Sequence, residues 1–220
     1  MLLNTYDKII ALFNRKAGYM SFADLREEKI TVIQMRELEA RGVIQKISYG
    51  WYWCTACGIQ KPADYKYIEL GKVEPNAVIC LESACYIHGL LGHEPYNVSI
   101  AIARNNRKQL KMQFPLTKHY YTNLENEYME ECRSVFGVYK LFNAEACICD
   151  CIKKRNKIES NVYLEIIENY RSRSDKQLDR LREYAVKMKV DNKISKVLES
   201  VQNEGAKYGR KNNRKVKVDV

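Results

Sequence analysis

Two helix-start signatures, ten residues apart, constrain this chain more than any other feature. In the first, Ser21 can cap the amide of Asp24, and the Asp24 carboxylate can reach back to the backbone of Ser21. In the second, Thr31 and Gln34 repeat the arrangement. Gly42 then supplies the left-handed residue that ends the second helix. The spacing therefore predicts two short helices with a tight connection between them.

A β-hairpin is predicted directly after the second helix. Two β-prone runs, 43–48 and 51–53, flank the two-residue turn Tyr49-Gly50. Apolar residues at helical spacing from Leu3 to Phe13 predict a further helix that packs behind the capped pair. A helix-turn-helix followed by a two-stranded wing is a winged helix, and we predict this fold for residues 1–57.

A second, larger domain is predicted beyond a composition break. Residues 58–75 contain Pro62, Gly71 and Pro75 and are interpreted as a linker that holds at most one short helix, around residues 65–70. Residues 76–202 form the second domain, and the basic residues 203–220, where the apolar pattern stops, are predicted to be a disordered tail.

The second domain mixes strand and helix patterns. Its predicted elements are a helix at 78–90, strands at 98–103, 112–114, 118–122 and 136–142, a helix at 144–154, and from residue 160 onward three helices, the second starting at Ser174 and Gln177. The predicted fold class is α+β: an N-terminal winged helix-turn-helix domain followed by a larger α/β domain with a small sheet and a C-terminal helical bundle.

Charge and hydropathy limit the class of partner and the compartment. The formal net charge of +10 favours polyanionic partners, although net charge alone speaks only to steering and non-specific binding. No apolar run approaches the roughly 18 residues that a membrane span requires, and polar residues interrupt the first ten positions, so neither a membrane partner nor a secretion signal is expected. We therefore expect a cytoplasmic protein.

The eight cysteines are expected to be reduced and free of metal. Cys54 and Cys57 have metal-ligand spacing, but zinc sites usually need a second matched pair, and Cys80 and Cys85 are five residues apart. The alternating cysteines of 147–151 would diverge on a helix, so we interpret them as core side chains. No cofactor is expected.

The second capped helix is the candidate DNA-recognition helix. It should bury Met35 and Leu38 and present its other faces outward, while the wing lies near phosphates or the minor groove. The predicted DNA-binding residues are Thr31, Ile33, Gln34, Arg36, Arg41, Lys46 and Tyr49. In a competing interpretation Gln34 serves only its capping box, Arg36 pairs with a neighbouring glutamate, and Val32 and Ile33 dock a protein partner.

An enzymatic function is not expected. The chain contains no phosphate-binding glycine loop and no HExxH or GxSxG motif. Its three histidines are His88, His93 and His119, and Glu82 and His88 would not share a helix face.

A resemblance to a known family covers nearly the whole chain. The segments GYMSFADL, RGVIQKISYGWYW, NAVICLESACYIHGL, AEACICDCIKKRNKIESNVYLEIIENY and LREYAVKMKV resemble, in this order, the AbiEi antitoxins of type IV toxin-antitoxin and abortive phage infection systems. The resemblance implies an N-terminal winged helix that binds operator DNA with inverted repeats and represses its own promoter. It further implies a C-terminal domain required for antitoxicity and a nucleotidyltransferase toxin that is neutralised without an obligatory stable complex.

Two differences from the family fall on the predicted DNA-contacting surface. Tyr49 stands where the family often has a basic residue, and Val32 and Ile33 replace polar or basic residues. A stand-alone transcription regulator and a protein-interaction module without a toxin partner remain the alternatives.

The C-terminal helices carry many cations with no evident structural need. We predict that they form an antitoxicity surface that engages an acidic partner or an RNA, against the alternative that they only keep the protein soluble. These residues are Lys153, Lys154, Arg155, Lys157, Arg171, Arg173, Arg180 and Arg182.

Overall fold

The computed structural model describes residues 3–194, with all side chains except those of Leu3 and Asn4. The predicted tail and most of the last predicted helix lie outside the described residues. The fold is α+β, as predicted, with two small sheets. The described residues form two compact units, one of residues 3–79 with 96–141 and the other of residues 80–95 with 142–194. The predicted boundaries at residues 57 and 76 do not coincide with these units.

The N-terminal part of the first unit contains the two short helices that the capping signatures predict. Its elements are α1 (Leu3–Arg15), β1 (Tyr19–Ser21), α2 (Phe22–Glu27), α3 (Val32–Ala40), β2 (Ile44–Ser48) and β3 (Trp51–Cys54). The strands form an antiparallel sheet in the order β1-β3-β2. Ile9 and Phe13 of α1 pack with Leu25 of α2 and with Met35 and Leu38 of α3 in one apolar core.

Strand β1 was not predicted from the sequence, which indicates only a connector at residues 17–19. In the structure Tyr19 pairs with Trp53, and Ser21 pairs with Trp51. Gly18 permits this approach, because it has φ +83° and a Cβ at this position would overlap the Trp53 ring. The three-residue strand is too short for alternation to be read from sequence.

The predicted linker contains a packed helix, α4 (Tyr65–Val73). Tyr67, Ile68 and Leu70 are buried, so this segment belongs to the core of the first unit. Gly71 was interpreted as a break in structure, but it has a packing role. A Cβ on it would overlap the carbonyl oxygen of Val138, so glycine lets the helix lie directly against the neighbouring strand.

The second sheet also lies in the first unit. Its strands are β4 (Val78–Ile79), β5 (Val98–Ala103), β6 (Leu116–Tyr121), β7 (Met129–Ser134) and β8 (Gly137–Phe142), in the order β6-β5-β4-β8-β7. Strand β4 runs parallel to β8 and antiparallel to β5, and β5 runs parallel to β6.

Three strand predictions in this sheet were wrong. Residues 78–79 were assigned to a helix, but they are buried, β-branched and central in the sheet. Residues 112–114 are not a strand, while Met129–Ser134 is one. The sequence of β7 is polar and the strand lies at the sheet edge, so it carries little of the apolar signal on which prediction depends.

The second unit is helical in the part that the structure describes. It contains α5 (Leu81–Ile87), α6 (Ala144–Lys153), α7 (Ser160–Ser172) and α8 (Leu178–Met188). Helix α6 is central, because it contacts the other three and is buried from Glu145 to Ile152. The predicted start of α8 at Ser174 was wrong: the helix begins after Gln177, which makes no side-chain capping bond.

Candidate nucleic-acid interface

The two capping boxes predicted from the sequence are present and fix the geometry of α2 and α3. The Ser21 hydroxyl accepts a bond from the Asp24 amide at 3.1 Å, and the Asp24 carboxylate accepts from the Ser21 amide at 2.9 Å. Thr31 accepts from the Gln34 amide at 3.2 Å, and Gln34 Oε1 accepts from the Thr31 amide at 2.8 Å. Gly42 has φ +69°, so the predicted left-handed end of α3 is confirmed.

Helix α3 divides cleanly into a buried face and an exposed face. Met35 and Leu38 are buried, as predicted. Val32 and Ile33, the first two residues of the helix, are 47% and 77% exposed, and Arg36 is exposed on the next turn. Val32 and Ile33 thus place two adjacent apolar side chains in solvent at the start of the helix.

Three of the predicted DNA-binding residues already have partners within the chain. Gln34 Oε1 accepts hydrogen bonds from both the amide and the hydroxyl of Thr31, at 2.8 and 3.0 Å. The Arg41 guanidinium forms an ion pair with Glu37 at 2.6 Å, one turn back along the helix. The contacts of Gln34 agree with the competing interpretation, in which it serves its capping box. Arg36, by contrast, forms no ion pair with a described residue.

The hairpin extends the exposed surface. Strands β2 and β3 pair from Ile44 opposite Cys54 to Ser48 opposite Trp51, with a register shift between Lys46 and Ser48. Tyr49 at the turn is 90% exposed, and the Lys46 ammonium lies 6.0 Å from the centroid of its ring. Both side chains are therefore accessible to a partner.

Two cations beside the start of α3 were not predicted from the sequence. Arg26 and Lys29 line a shallow cleft of about 450 Å³ together with Phe22, Ile30, Thr31 and Val32. Both are exposed, and the Arg26 guanidinium lies 6.0 Å from the centroid of the Phe22 ring. Their position at the end of α2 was readable from the capping signatures, which set the connection between the helices.

Carboxylates near this surface are partly neutralised by cations of α1 and α3. Glu28 pairs with Lys8 at 3.7 Å, and Glu37 pairs with Arg41. Hydrogen bonds from Ser21 and the nearby Lys16 ammonium keep the pKa of Asp24 below its usual range, against the opposing effect of burial. The cations Arg26, Lys29 and Arg36 thus face solvent with less opposing charge than the residue count suggests.

The cysteine pair at the end of the hairpin differs from expectation. Cys54 and Cys57 are joined by a disulfide, so the prediction that all eight cysteines are reduced is wrong at this pair. The disulfide joins the last residue of β3 to a residue three positions further along the chain. The cysteines of 147–151 are buried within α6, which confirms their assignment as core side chains.

Buried thiols cluster inside the second unit. Cys85 and Cys151 approach to 3.6 Å between sulfur atoms. Burial raises the pKa of Cys147 to about 11 and that of Cys149 to about 12, so both thiols are protonated at neutral pH. Within residues 3–194, no group of three or more His, Cys, Asp or Glu side chains is arranged to hold a metal ion.

The predicted antitoxicity residues fall into two groups, and for the first group the expectation of no structural need was wrong. Lys154 forms an ion pair with the fully buried Asp150 at 3.3 Å. Arg155 donates to the carbonyl of Ile158 and lies 4.4 Å from the Tyr163 ring centroid.

Arg173 also belongs to this first group, whereas Arg182 forms an exposed surface pair that contributes little to stability. Arg173 donates to the carbonyl of His88 at 2.7 Å and to both carboxylate oxygens of Asp175, and Arg182 pairs with Asp179 at 3.1 Å. Arg171 is half-buried and accepts a bond from the Lys176 ammonium at its carbonyl oxygen.

The second group is exposed and has no ion-pair partner among residues 3–194. It consists of Lys153, Lys157 and Arg180. These three remain candidates for contact with another molecule.

Comparison with known proteins supports the fold alone. The chain matches no protein-family profile and no curated protein. It is similar in structure to the RV2827C protein from Mycobacterium tuberculosis, with a TM-score of 0.60 and 13% identity over 83% of this chain and 72% of that one. In the part of the chain that the structure describes, no helix has the length and apolar character to cross a membrane.

Proposed function

We propose that this chain is the antitoxin of a type IV, AbiE-like toxin-antitoxin system for phage defence. In this proposal residues 1–57 act as a winged helix that binds inverted repeats in the chain's own promoter and represses transcription. The observation that carries the DNA-binding part is the exposed first turn of α3, which is held by the Thr31–Gln34 capping box and flanked by Arg26, Lys29 and Arg36.

The arrangement of elements fits the way in which helix-turn-helix proteins bind DNA. The second helix of such a pair enters the major groove and its N-terminal residues reach the base edges. Helix α3 exposes its N-terminal residues, and the hairpin exposes Lys46 and Tyr49 where a wing would reach the phosphates. Arg36 and Lys46 would then supply phosphate contacts, which dominate affinity.

The antitoxin part of the proposal rests on the sequence resemblance. The toxin would be a nucleotidyltransferase, opposed without a stable complex. Within the second unit, the exposed cations Lys153, Lys157 and Arg180 are the best candidates for contact with an acidic partner or an RNA, because the other predicted residues make contacts within the unit.

Separability of the two activities is best tested in the full chain. A chain truncated to begin at Asn76 would lose α4, whose Tyr67, Ile68 and Leu70 form part of the core of the first unit. The alternative is a pair of multiple variants that change only exposed cations. One combines Arg36→Ala with Lys46→Ala, and the other combines Lys153→Ala, Lys157→Ala and Arg180→Ala.

Both variants would be expressed with the nucleotidyltransferase encoded next to this chain. The first should lose repression of a promoter reporter and still rescue growth, whereas the second should rescue poorly and still repress. Loss of both activities in either variant would contradict the division of labour. Absence of a neighbouring nucleotidyltransferase gene, with repression intact, would instead favour a stand-alone regulator.

A protein-interaction module is the second candidate, and the exposure of Val32 and Ile33 favours it. In that case the chain would show no preference for its own promoter over unrelated DNA of equal length. Substitution of Ile33 would then weaken capture of a protein partner and leave any residual DNA binding unchanged.

A further inference from the structure

The chemistry available at the tip of α3 narrows what this helix can recognise. A glutamine that reads adenine must accept from the N6 amino group through Oε1 while Nε2 donates to N7. In this chain Gln34 Oε1 already accepts from the amide and the hydroxyl of Thr31. Adenine recognition by Gln34 would therefore undo the cap that starts the helix.

Arg41 is similarly engaged, because it pairs with Glu37 at 2.6 Å at the far end of the helix. The exposed groups left in the first turns are the side chains of Val32 and Ile33, with Arg36 one turn on. Two of these three groups are apolar. They stand at the positions from which a recognition helix usually reaches base edges.

The major groove offers one apolar feature to such side chains. This feature is the C5-methyl group of thymine, which aliphatic side chains contact directly. We propose that Val32 and Ile33 read thymine methyl groups in the operator. This inference rests on the proposed function and names the base that the same surface recognises.

Charge around the apolar pair favours DNA over a protein as the occupant. Arg26 and Lys29 line the cleft that also contains Val32, and Arg36 is exposed beyond it. Among the described residues none of the three has an acidic partner. An apolar tip flanked by three cations complements a groove that has methyl groups on its floor and phosphates on its walls.

The test compares two forms of the same DNA. The region upstream of the chain's own gene is amplified once with thymidine and once with deoxyuridine triphosphate, so that only the C5-methyl groups differ. Binding of the full chain is measured by fluorescence anisotropy, with unrelated DNA of equal length as reference. We expect the uracil form to bind about 4-fold more weakly if one methyl group is buried and about 16-fold more weakly if two are, since each contributes roughly 4-fold.

Variants assign the effect to the two side chains. Val32→Ala combined with Ile33→Ala should bring the ratio between the two DNA forms close to one. Both residues are exposed and alanine favours helix, so folding is preserved. Val135→Ala is the matched control, because Val135 is an 84% exposed valine in the same unit, and it should leave the ratio unchanged.

The other outcomes distinguish failure of the methyl readout from failure of the DNA-binding proposal. Equal binding of the two forms, both tighter than unrelated DNA, overturns the methyl readout and leaves the proposed function standing. Binding of both forms no tighter than unrelated DNA overturns the inference and the DNA-binding proposal together. Loss of rescue from the neighbouring nucleotidyltransferase in the double variant, with DNA binding equal to that of the unsubstituted chain, assigns the surface to toxin neutralisation and overturns the inference.

Discussion

The surface around α3 and the surface of the C-terminal helices use positive charge in opposite ways. Residues 1–50 hold eight Lys or Arg against six Asp or Glu, so this segment is barely basic. Yet Arg26, Lys29 and Arg36 face solvent without an acidic partner among the described residues. The C-terminal helices are rich in cations, but Lys154 and Arg173 are tied to partners within the second unit.

This difference shows that the number of charges is a poor guide to a binding surface. A cation beside a buried carboxylate or an exposed carbonyl stabilises the fold and is withdrawn from recognition. Arg26, Lys29 and Arg36 have no such role, because none of them has an acidic partner among the described residues. Substitution of the paired cations should therefore lower the stability of the fold. Substitution of the unpaired cations should instead weaken binding.

The largest effect is expected at Lys154. Replacing it with methionine removes the ammonium group beside Asp150, which is fully buried, and leaves a carboxylate without its ion pair. Breaking a buried pair from one side should lower the free energy of unfolding by about 3 kcal/mol. Urea denaturation measures this value.

Lys153→Met is the matched control, because this neighbouring side chain is exposed and forms no ion pair with a described residue. It should change the free energy of unfolding by less than about 0.5 kcal/mol. Equal effects of the two substitutions would remove the distinction between structural and available cations.

A smaller effect, confined to one pH range, is expected at Glu69 in the first unit. Its carboxylate is 1% exposed and lies 2.5 Å from the Lys61 ammonium, and the Tyr19 hydroxyl donates to it at 3.4 Å. Burial raises the pKa of Glu69 in spite of these partners. Its protonation therefore stabilises the folded state fully below the ordinary value of 4.5, and this contribution is lost as the pH rises through the raised pKa.

Glu69→Gln tests that sign, because glutamine keeps the shape and cannot ionise. Relative to the unsubstituted chain, the variant should gain stability as the pH is raised from 4.5 towards neutrality. A difference between the two proteins that stays constant with pH, or that changes in the other direction, would show that Lys61 outweighs burial.

The sequence predicted the capped helices and the hairpin because their signals are local. Ser21, Thr31 and Gly42 each act within four residues, so their roles can be read without knowledge of the fold. Strand β7 and helix α4 depend on neighbours distant in sequence. Gly71 illustrates the limit, since the Val138 carbonyl that requires a glycine there is visible only in three dimensions.

The candidate site was predicted unevenly for the same reason. The exposure of Ile33 and Arg36 follows from the helical period once the helix is known. From the sequence, a purely capping role of Gln34 was one of two interpretations. Its two hydrogen bonds to Thr31, which are visible only in the structure, favour this capping role. The structural partners of Lys154 and Arg173 could not be predicted from the sequence. They are a buried carboxylate and a carbonyl 85 residues away, and both depend on packing.

Apart from the Lys153 control, the smallest effect on stability is expected at Thr31. Thr31→Ala removes the hydroxyl that accepts from the Gln34 amide, and loss of such a cap costs about 1 kcal/mol. Thr31→Ser retains the hydroxyl and should retain the stability. Thermal unfolding without DNA compares the two. An alanine variant as stable as the serine variant would mean that Thr31 and Gln34 do not stabilise α3 and are available to bind DNA.

The central claim is that the α3 surface, and not net positive charge, binds promoter DNA. Its most direct test is a gel-shift titration at two salt concentrations with two double variants of equal charge change. Arg36→Ala with Lys46→Ala should weaken binding and flatten its salt dependence, since each lost phosphate contact lowers the salt slope by about one. Lys153→Ala with Lys157→Ala should leave both unchanged. Equal losses in the two variants, or no loss in the first, would contradict the account.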